Sequence, residues 1–187
     1  MRYAKIRKMD ISNGPGIRVS IFVQGCSNRC PGCFNKETWD YTGGELWTDE
    51  INEYILNCID NPTRQGLSIL GGDPFSVIQH MKIGEKNYIL DLVKEVKKRF
   101  PEKDIWLWTG FKIEPFIKLN PSDIIHEHDA LFTLAVQELL PYIDVIVDGP
   151  FVQELKDMRM KYAGSSNQRV IDIKESLKQS EIILYER

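Results

Sequence analysis

The sequence predicts an α/β domain built on a mostly parallel sheet. Three observations predict it. Short apolar runs alternate with helical patterns, and no internal repeat or Gly/Ser-rich linker divides the chain. The contents of hydrophobic (42%) and charged (27%) residues are also ordinary for a soluble globular protein. A chain of 187 residues buries roughly 70% of the surface its unfolded form exposes, enough for one sizeable core, so residues 1–187 read as a single domain.

The strand-like runs are Ile17–Val23, Leu67–Leu70, Ile105–Trp108, Ile143–Val147 and Val170–Ile173, with Ile182–Tyr185 as a last strand. Between the first two, Thr48 stands where a helix needs a cap. Glu50, Ile51, Tyr54, Ile55 and Cys58 then keep near-helical spacing to about Asp60. A second helix covers Glu85–Phe100, where Tyr88, Leu92, Val96 and Phe100 recur every four residues and basic side chains gather at the negative end of the helix dipole. A third spans Asp129–Leu140. In parallel βα units ligands bind outside the carboxyl ends of the strands, so the loops that leave the strands are where functional residues are expected.

Charge and hydropathy narrow the functional classes. A formal net charge of −3 offers no basic footprint for nucleic acid. No stretch approaches the ~20 apolar residues of a membrane span. The start, Met1 to Asp10, is basic but lacks the apolar run of a signal peptide, which predicts a cytoplasmic protein. Thiols stay reduced there, so the four cysteines read as ligands or buried thiols rather than disulfides.

Cys26, Cys30 and Cys33 follow directly on the strand Ile17–Val23. Three thiolates so close together, with a Pro31-Gly32 turn between the last two, can all face one iron–sulfur cluster. A cubane has about four irons, so three ligands leave one iron open to an exogenous group, unlike four-Cys electron-transfer clusters. The alternative is zinc, whose closed sites take about four N/S ligands. Here the nearest histidine is His80 and no second Cys-x-x-Cys exists. Cys58 sits on a predicted helix among apolar neighbours and reads as a buried structural thiol.

The Cys-x3-Cys-x2-Cys spacing resembles the defining motif of the radical S-adenosylmethionine superfamily. Asn13-Gly14-Pro15-Gly16-Ile17-Arg18-Val19-Ser20-Ile21-Phe22-Val23-Gln24-Gly25-Cys26, continuing through Phe34-Asn35, resembles the signature of its glycyl-radical-enzyme activases. Gly71-Gly72-Asp73-Pro74, Trp108-Thr109-Gly110, Val147-Asp148-Gly149 and Gly164-Ser165-Ser166-Asn167-Gln168 resemble the subfamily that activates anaerobic (class III) ribonucleoside-triphosphate reductase. The resemblance implies an open, truncated TIM-type (βα) partial barrel with mostly parallel strands. It also implies a [4Fe–4S] cluster on Cys26, Cys30 and Cys33 as the catalytic centre, with S-adenosylmethionine chelating the open iron. Reductive cleavage of that cofactor gives methionine and a 5′-deoxyadenosyl radical, which takes hydrogen from one glycine of the partner reductase. A flavodoxin- or ferredoxin-like protein would supply the electron.

The residues of these blocks also have readings of their own. Gly71 and Gly72 permit close backbone approach, and the Asp73 carboxylate can accept a charge-assisted bond from the cofactor's ammonium group, although Asp-Pro alone reads as a plain turn. Gly32, Cys33 and Phe34 are placed at the cofactor, with Phe34 packing the adenine. Asn13 to Gly16 form a turn that is also a candidate lip for the incoming peptide. Thr109, Asp148, Ser165, Ser166 and Asn167 flank strands and read either as cofactor or peptide contacts or as ordinary polar caps.

Two features depart from the resemblance. Asp148-Gly149-Pro150 stands where activases of pyruvate formate-lyase carry Asp-x-Lys, and Lys112–Tyr142 is longer than in the smallest relatives. That stretch holds His126 and His128, read as surface residues, and is expected to supply a helix usable in docking. The rival readings are an activase of another glycyl radical enzyme, a small-molecule radical enzyme such as a deazapurine synthase, and a zinc-stabilised binding module.

Overall fold

The computed structural model describes residues 1–186. Seven strands form one sheet: β1 (Arg2–Asp10), β2 (Ile17–Val23), β3 (Glu45–Leu46), β4 (Arg64–Gly71), β5 (Asp104–Trp108), β6 (Val145–Asp148) and β7 (Arg169–Asp172), in the order β3-β1-β2-β4-β5-β6-β7. The central run β2-β4-β5-β6 is parallel, as expected of βα units. Both flanks are antiparallel: β1 on β2, β3 on β1, and β7 on β6.

The helices are α1 (Asp49–Ile59), α2 (Pro74–Gln79), α3 (Tyr88–Arg99), α4 (Glu114–Lys118), α5 (Glu127–Leu139) and α6 (Ile173–Gln179). Thr48 holds the N-cap position of α1, but its side chain makes no cap bond. The second helix begins at Tyr88 rather than Glu85 because Asn87 caps it, accepting from Leu90 N at 3.1 Å. The third starts two residues earlier than expected and ends at Leu139. The stretch Lys112–Tyr142 does supply helix, as α4 and α5, and His126 and His128 are exposed on it.

Three expectations need correction. β1 carries charges at Arg2, Lys5, Arg7 and Lys8, which hides a strand that pairs with β2 along most of its length. The expected last strand Ile182–Tyr185 is only a single bridge from Leu184 to Ile171, because β7 already ends the sheet. The strand expected over Ile143–Val147 runs Val145–Asp148, after a 3-10 turn that closes at Tyr142.

Alternation along the strands gives the sheet two different faces. Val19, Ile21, Val23, Leu67, Ile69, Ile105, Leu107, Ile146 and Ile171 face one way and pack with Ile55, Leu56, Leu92, Val96 and Val136 of the helices into one core. The other face carries cross-strand rows. Ser20, Ser68, Trp106 and Val145 are in register, and Phe22 and Leu70 form the next row, with Trp108 beside Val147. The loop after β6 and the C-terminal segment cover this inner face: the Trp106 ring meets Tyr162 at 4.8 Å and Tyr185 at 5.1 Å. Among the described residues, no helix is long and apolar enough to cross a membrane.

Candidate functional site

At the carboxyl ends of β2, β4 and β5 the inner face opens into a cavity of about 350 Å³. Phe22, Leu70 and Trp108 line it, as their row predicts, together with Cys26, Cys30 and Cys33. Gly71, Gly72, Asp73, Thr109 and Gly110 close one side, and Phe34, Phe151, Tyr162 and Gly164 the other. The loop before β2 folds beneath it, with Ser12 and Asn13 in the lining and Ser68 Oγ donating to Asn13 O at 2.6 Å. Arg7 also borders the cavity.

The cysteine loop is closed on itself by backbone. Gly25 N donates to Thr38 O at 2.8 Å and Cys26 N to Trp39 O at 3.2 Å, so residues 26–38 form a loop whose two ends are tied. Gln24 reinforces the closure, its Nε2 donating to Asp40 O at 2.7 Å and to Glu37 O at 3.2 Å. Inside it, Cys33 N donates to Cys30 O at 3.1 Å across the Pro31-Gly32 turn, bringing the last two thiols together. Cys26 is buried, and Cys30 and Cys33 are half-buried. Burial pushes the Cys26 and Cys30 thiols up from the ordinary range, so they are protonated until a metal competes for them.

The ladder of β4 on β2 runs on past the strand ends, with Gly72 N donating to Val23 O and Asp73 N to Gly25 O, both at 2.9 Å. The two chains are so close that a Cβ on Gly71, whose φ is +107°, would meet Phe22 Cα at 2.6 Å, and one on Gly72 would strike Gly25 O. That crowding accounts for both glycines.

Asp73 is 2% exposed, and its carboxylate accepts five hydrogen bonds. Burial raises its pKa above the ordinary carboxylate value, an effect that the bonds from Gly110, Thr109, Ser76 and Phe75 offset only in part.

Nine of the sequence-predicted site residues border the cavity: Asn13 of the expected lip, with Cys26, Cys30, Cys33, Phe34, Gly71, Gly72, Asp73 and Thr109. Gly32 lies outside it, at the exposed apex of the turn. Asp148 is fully buried away from it, accepting from Arg169 Nε at 2.9 Å and Nη2 at 2.5 Å and from Ile113 N at 3.1 Å. Ser165 Oγ accepts from Val152 N at 3.2 Å, and Asn167 Nδ2 donates to Pro150 O at 2.8 Å. These three side chains hold the loop after β6, whose Gly149, Gly164 and Gln168 reach the cavity instead. Sequence reasoning missed Asn28, Trp108, Phe151 and Tyr162. Trp108 was legible, because its period-2 partner Trp106 shares the inner face.

Among the described residues, no three His, Cys, Asp or Glu side chains are gathered around one metal-ion point. That is poor for zinc, which draws its ligands onto a single centre. It suits a cluster, in which each thiolate takes a different iron. No histidine and no fourth cysteine lines the cavity, and Cys58 packs at the edge of the helix-side core. The donor set and the space therefore fit a three-thiolate cluster with an open iron.

Residues 12–171 match the family described as a 4Fe-4S single cluster domain. The chain is 39% identical over 170 residues to the anaerobic ribonucleoside-triphosphate reductase-activating protein of Vibrio cholerae, covering 90% of this chain and 96% of that one. Proteins of the same description from Escherichia coli K12 and Enterobacteria phage T4 are each 38% identical, over 91% of this chain and 97% and 93% of theirs.

Proposed function

The chain belongs to the family of anaerobic ribonucleoside-triphosphate reductase-activating proteins and carries a 4Fe-4S single cluster domain, and from that membership we propose that it generates the glycyl radical of such a reductase. The observation that carries the reading is the set of three thiols on one cavity at the strand ends, with no fourth Cys or His beside them. Cys26, Cys30 and Cys33 would hold the cluster, leaving one iron for the amino and carboxylate groups of S-adenosylmethionine. When bound, cluster and cofactor would supply the one-electron reductive cleavage of the sulfonium and the hydrogen-atom abstraction that leaves a radical on a glycine Cα.

The chain's own residues bind, orient and shield. The Gly71-Gly72 backbone and Thr109 form the edge against which the cofactor lies, and Phe34 offers it a ring. Phe34 is 58% exposed, with Phe151 at 5.4 Å and the Lys156 ammonium 5.0 Å above it, so adenine packing there would cover an otherwise wet aromatic pair. Phe22, Leu70 and Trp108 keep the inner wall apolar and exclude water. Asp148, Ser165 and Asn167 shape the loop after β6 rather than touch the cofactor. The helix-covered outer face and the cavity on the inner one support a truncated, open barrel formed by a single domain. An open mouth suits a mobile glycine-bearing segment, whose ordering costs several kcal/mol and keeps the contact modest in affinity. A flavodoxin- or ferredoxin-like donor and a cytoplasmic setting complete the reading.

The test is anaerobic incubation of the reconstituted protein with the reductase, a reductant and S-adenosylmethionine, read by electron paramagnetic resonance. A glycyl radical doublet that needs all four is the expected result. Cofactor cleavage in proportion to turnover of a free metabolite, with no protein radical, would overturn it.

A further inference from the structure

We propose that the buried Asp73 and the half-buried Asn28 form a latch that positions the cysteine loop against the ends of β4 and β5, so that the Asp73 carboxylate serves to place the thiols and not to bind the cofactor. The inference rests on the reading of Cys26, Cys30 and Cys33 as cluster ligands.

The two oxygens of Asp73 have separate tasks. Oδ1 accepts from Phe75 N at 2.9 Å and Ser76 N at 3.3 Å, capping α2, and from Thr109 Oγ1 at 2.9 Å. Oδ2 accepts from Asn28 Nδ2 at 2.6 Å and from Gly110 N at 2.8 Å. A carboxylate offers about four lone-pair sites, so five donors saturate it and leave nothing for a ligand's ammonium group. A buried carboxylate is tolerated only when satisfied in this way.

Asn28 lies midway between Cys26 and Cys30. Its neighbour Ser27 makes a second tie, Oγ to Ser76 Oγ at 2.9 Å. The fit on the far side is equally close, because a Cβ on Gly110 would strike the Asn28 amide. One carboxylate thus joins the loops that follow β2, β4 and β5. The backbone closure at Gly25 and Cys26 fixes the loop's ends, the Ser27–Ser76 tie holds it to α2, and the Asn28 bond joins its thiol-bearing middle to the carboxylate that also holds Thr109-Gly110. The Asn28 bond is short and part-buried, with a carboxylate as acceptor, which makes it strong for a single contact.

The test exploits the two oxygens. Asp73→Asn retains Oδ1 and the α2 cap but turns an amide nitrogen toward the Asn28 amide and Gly110 N–H. Asn28→Asp sets carboxylate against carboxylate. The double variant N28D/D73N reverses donor and acceptor and restores the bond between positions 28 and 73, while the bond from Gly110 N stays lost. Three readouts are taken on the full chain: iron release from the reconstituted protein to a chelator, S-adenosylmethionine affinity by anaerobic titration, and the alkylation rate of Cys26 in the metal-free protein by mass spectrometry. Each single variant should release iron and alkylate Cys26 about tenfold faster, and bind S-adenosylmethionine about tenfold more weakly, with part of each effect recovered in the double variant. A double variant no better than the worse single variant overturns the latch. So does D73N that loses cofactor affinity while iron release and Cys26 alkylation stay at wild-type rates, because Asp73 would then be a direct contact. A wild-type protein that takes up no iron and sulfide would overturn the cluster reading, and the alkylation comparison would still decide the latch.

Discussion

The inner face of the sheet carries a buried charged group at each end, and the two are satisfied in opposite ways. At the carboxyl ends, Asp73 is held by five neutral donors, drawn from the loops after β2 and β5 and from the first turn of α2. At the amino ends, Arg18 is fully buried and has a counter-ion, its Nη1 lying 2.6 Å from Asp104 Oδ1. Its Nε donates to Ser68 Oγ at 2.7 Å and its Nη2 to Leu67 O at 2.8 Å, and the guanidinium sits 5.7 Å from the Trp106 ring centroid. Arg18, Gly66 and Asp104 are in register on three adjacent strands, and the absent side chain of Gly66 lets arginine reach across to aspartate. The Arg18 network closes the amino end of the inner face and anchors one loop, the segment before β2, through Arg18 Nη1 to Pro15 O at 3.3 Å. The Asp73 network gathers loops around a cavity that must admit a ligand. Ion pairing serves closure, and hydrogen-bond saturation serves placement.

The largest effect that would break this contrast is at the cysteines. Replacing Cys26, Cys30 or Cys33 with Ala should abolish the cluster, measured as iron and sulfide after anaerobic reconstitution, whereas Cys58→Ala should retain about four of each. The metal-free C30A and C33A proteins should melt within a degree or two of wild type, because these half-buried side chains contribute little to the core. Stoichiometric zinc without sulfide, or cluster loss in C58A, would remove the functional end from the comparison altogether.

Arg18→Met should do the reverse. Losing one partner of a buried pair costs about 3–5 kcal/mol, and the lower figure applies because Asp104 retains 24% side-chain exposure. For a domain of this size about 3 kcal/mol lowers the melting temperature by roughly 6–12 °C. Iron content and S-adenosylmethionine affinity should not change. A melting temperature within a degree of wild type would mean that Trp106 and its aromatic neighbours, and not the ion pair, close that end.

What was legible in the sequence follows the range of the interactions. The cysteine loop is a local pattern after an apolar run, and Gly71-Gly72-Asp73 is a local turn after another, so both were found with their strands. β2, β4 and β5 were visible because each carries an apolar row on its helix-side face, with Phe22, Leu70 and Trp106 adding apolar signal on the other. β1 was not, since an edge-side strand with lysine and arginine on its wet face has too little apolar signal. The task of Asp73 depends on donors at positions 28, 109 and 110, and no local pattern brings these together. The sequence reading therefore gave its free-looking carboxylate to the cofactor. The partner of Asp148 was hidden for the same reason, because Arg169 lies 21 residues away on the antiparallel β7.

Gly71→Ala sharpens the contrast at intermediate size. A methyl group at φ +107° against Phe22 requires the ends of β2 and β4 to part, with a strain of about 2 kcal/mol. The denaturation midpoint should fall accordingly, and cofactor affinity should fall with it, coupling stability to binding at this end of the sheet. Lost stability with unchanged affinity would place the cofactor away from this edge.

The smallest expected effect concerns a third polar cluster, which holds the loop after β5 to β6 and β7. Arg169 Nη1 donates to Glu114 Oε1 at 2.5 Å and Nη2 to Oε2 at 2.9 Å, while the same guanidinium grips Asp148. Hydrogen bonding to Arg169 lowers the Glu114 pKa from 4.5 to about 2. A carboxylate whose folded pKa is depressed stabilises the fold above its unfolded pKa, and that contribution is lost as pH falls through the folded value. Glu114 should therefore contribute fully above about pH 4.5 and nothing below about pH 2. Its side chain is 34% exposed, so solvent screening cuts the contribution to about 1 kcal/mol. Urea unfolding of wild type and Glu114→Gln should differ by that amount at pH 7, and the gap should close steadily on acidification toward pH 2. The buried Asp148–Arg169 contact remains in the variant and keeps the loop after β6 in place, so the cavity should be intact and cofactor affinity unaltered at neutral pH. A gap that stays constant with pH would show that Glu114 acts through packing of α4 rather than through its charge. Weaker cofactor binding in E114Q would show that this cluster, too, places the cavity loops, and would break the division between closure and placement.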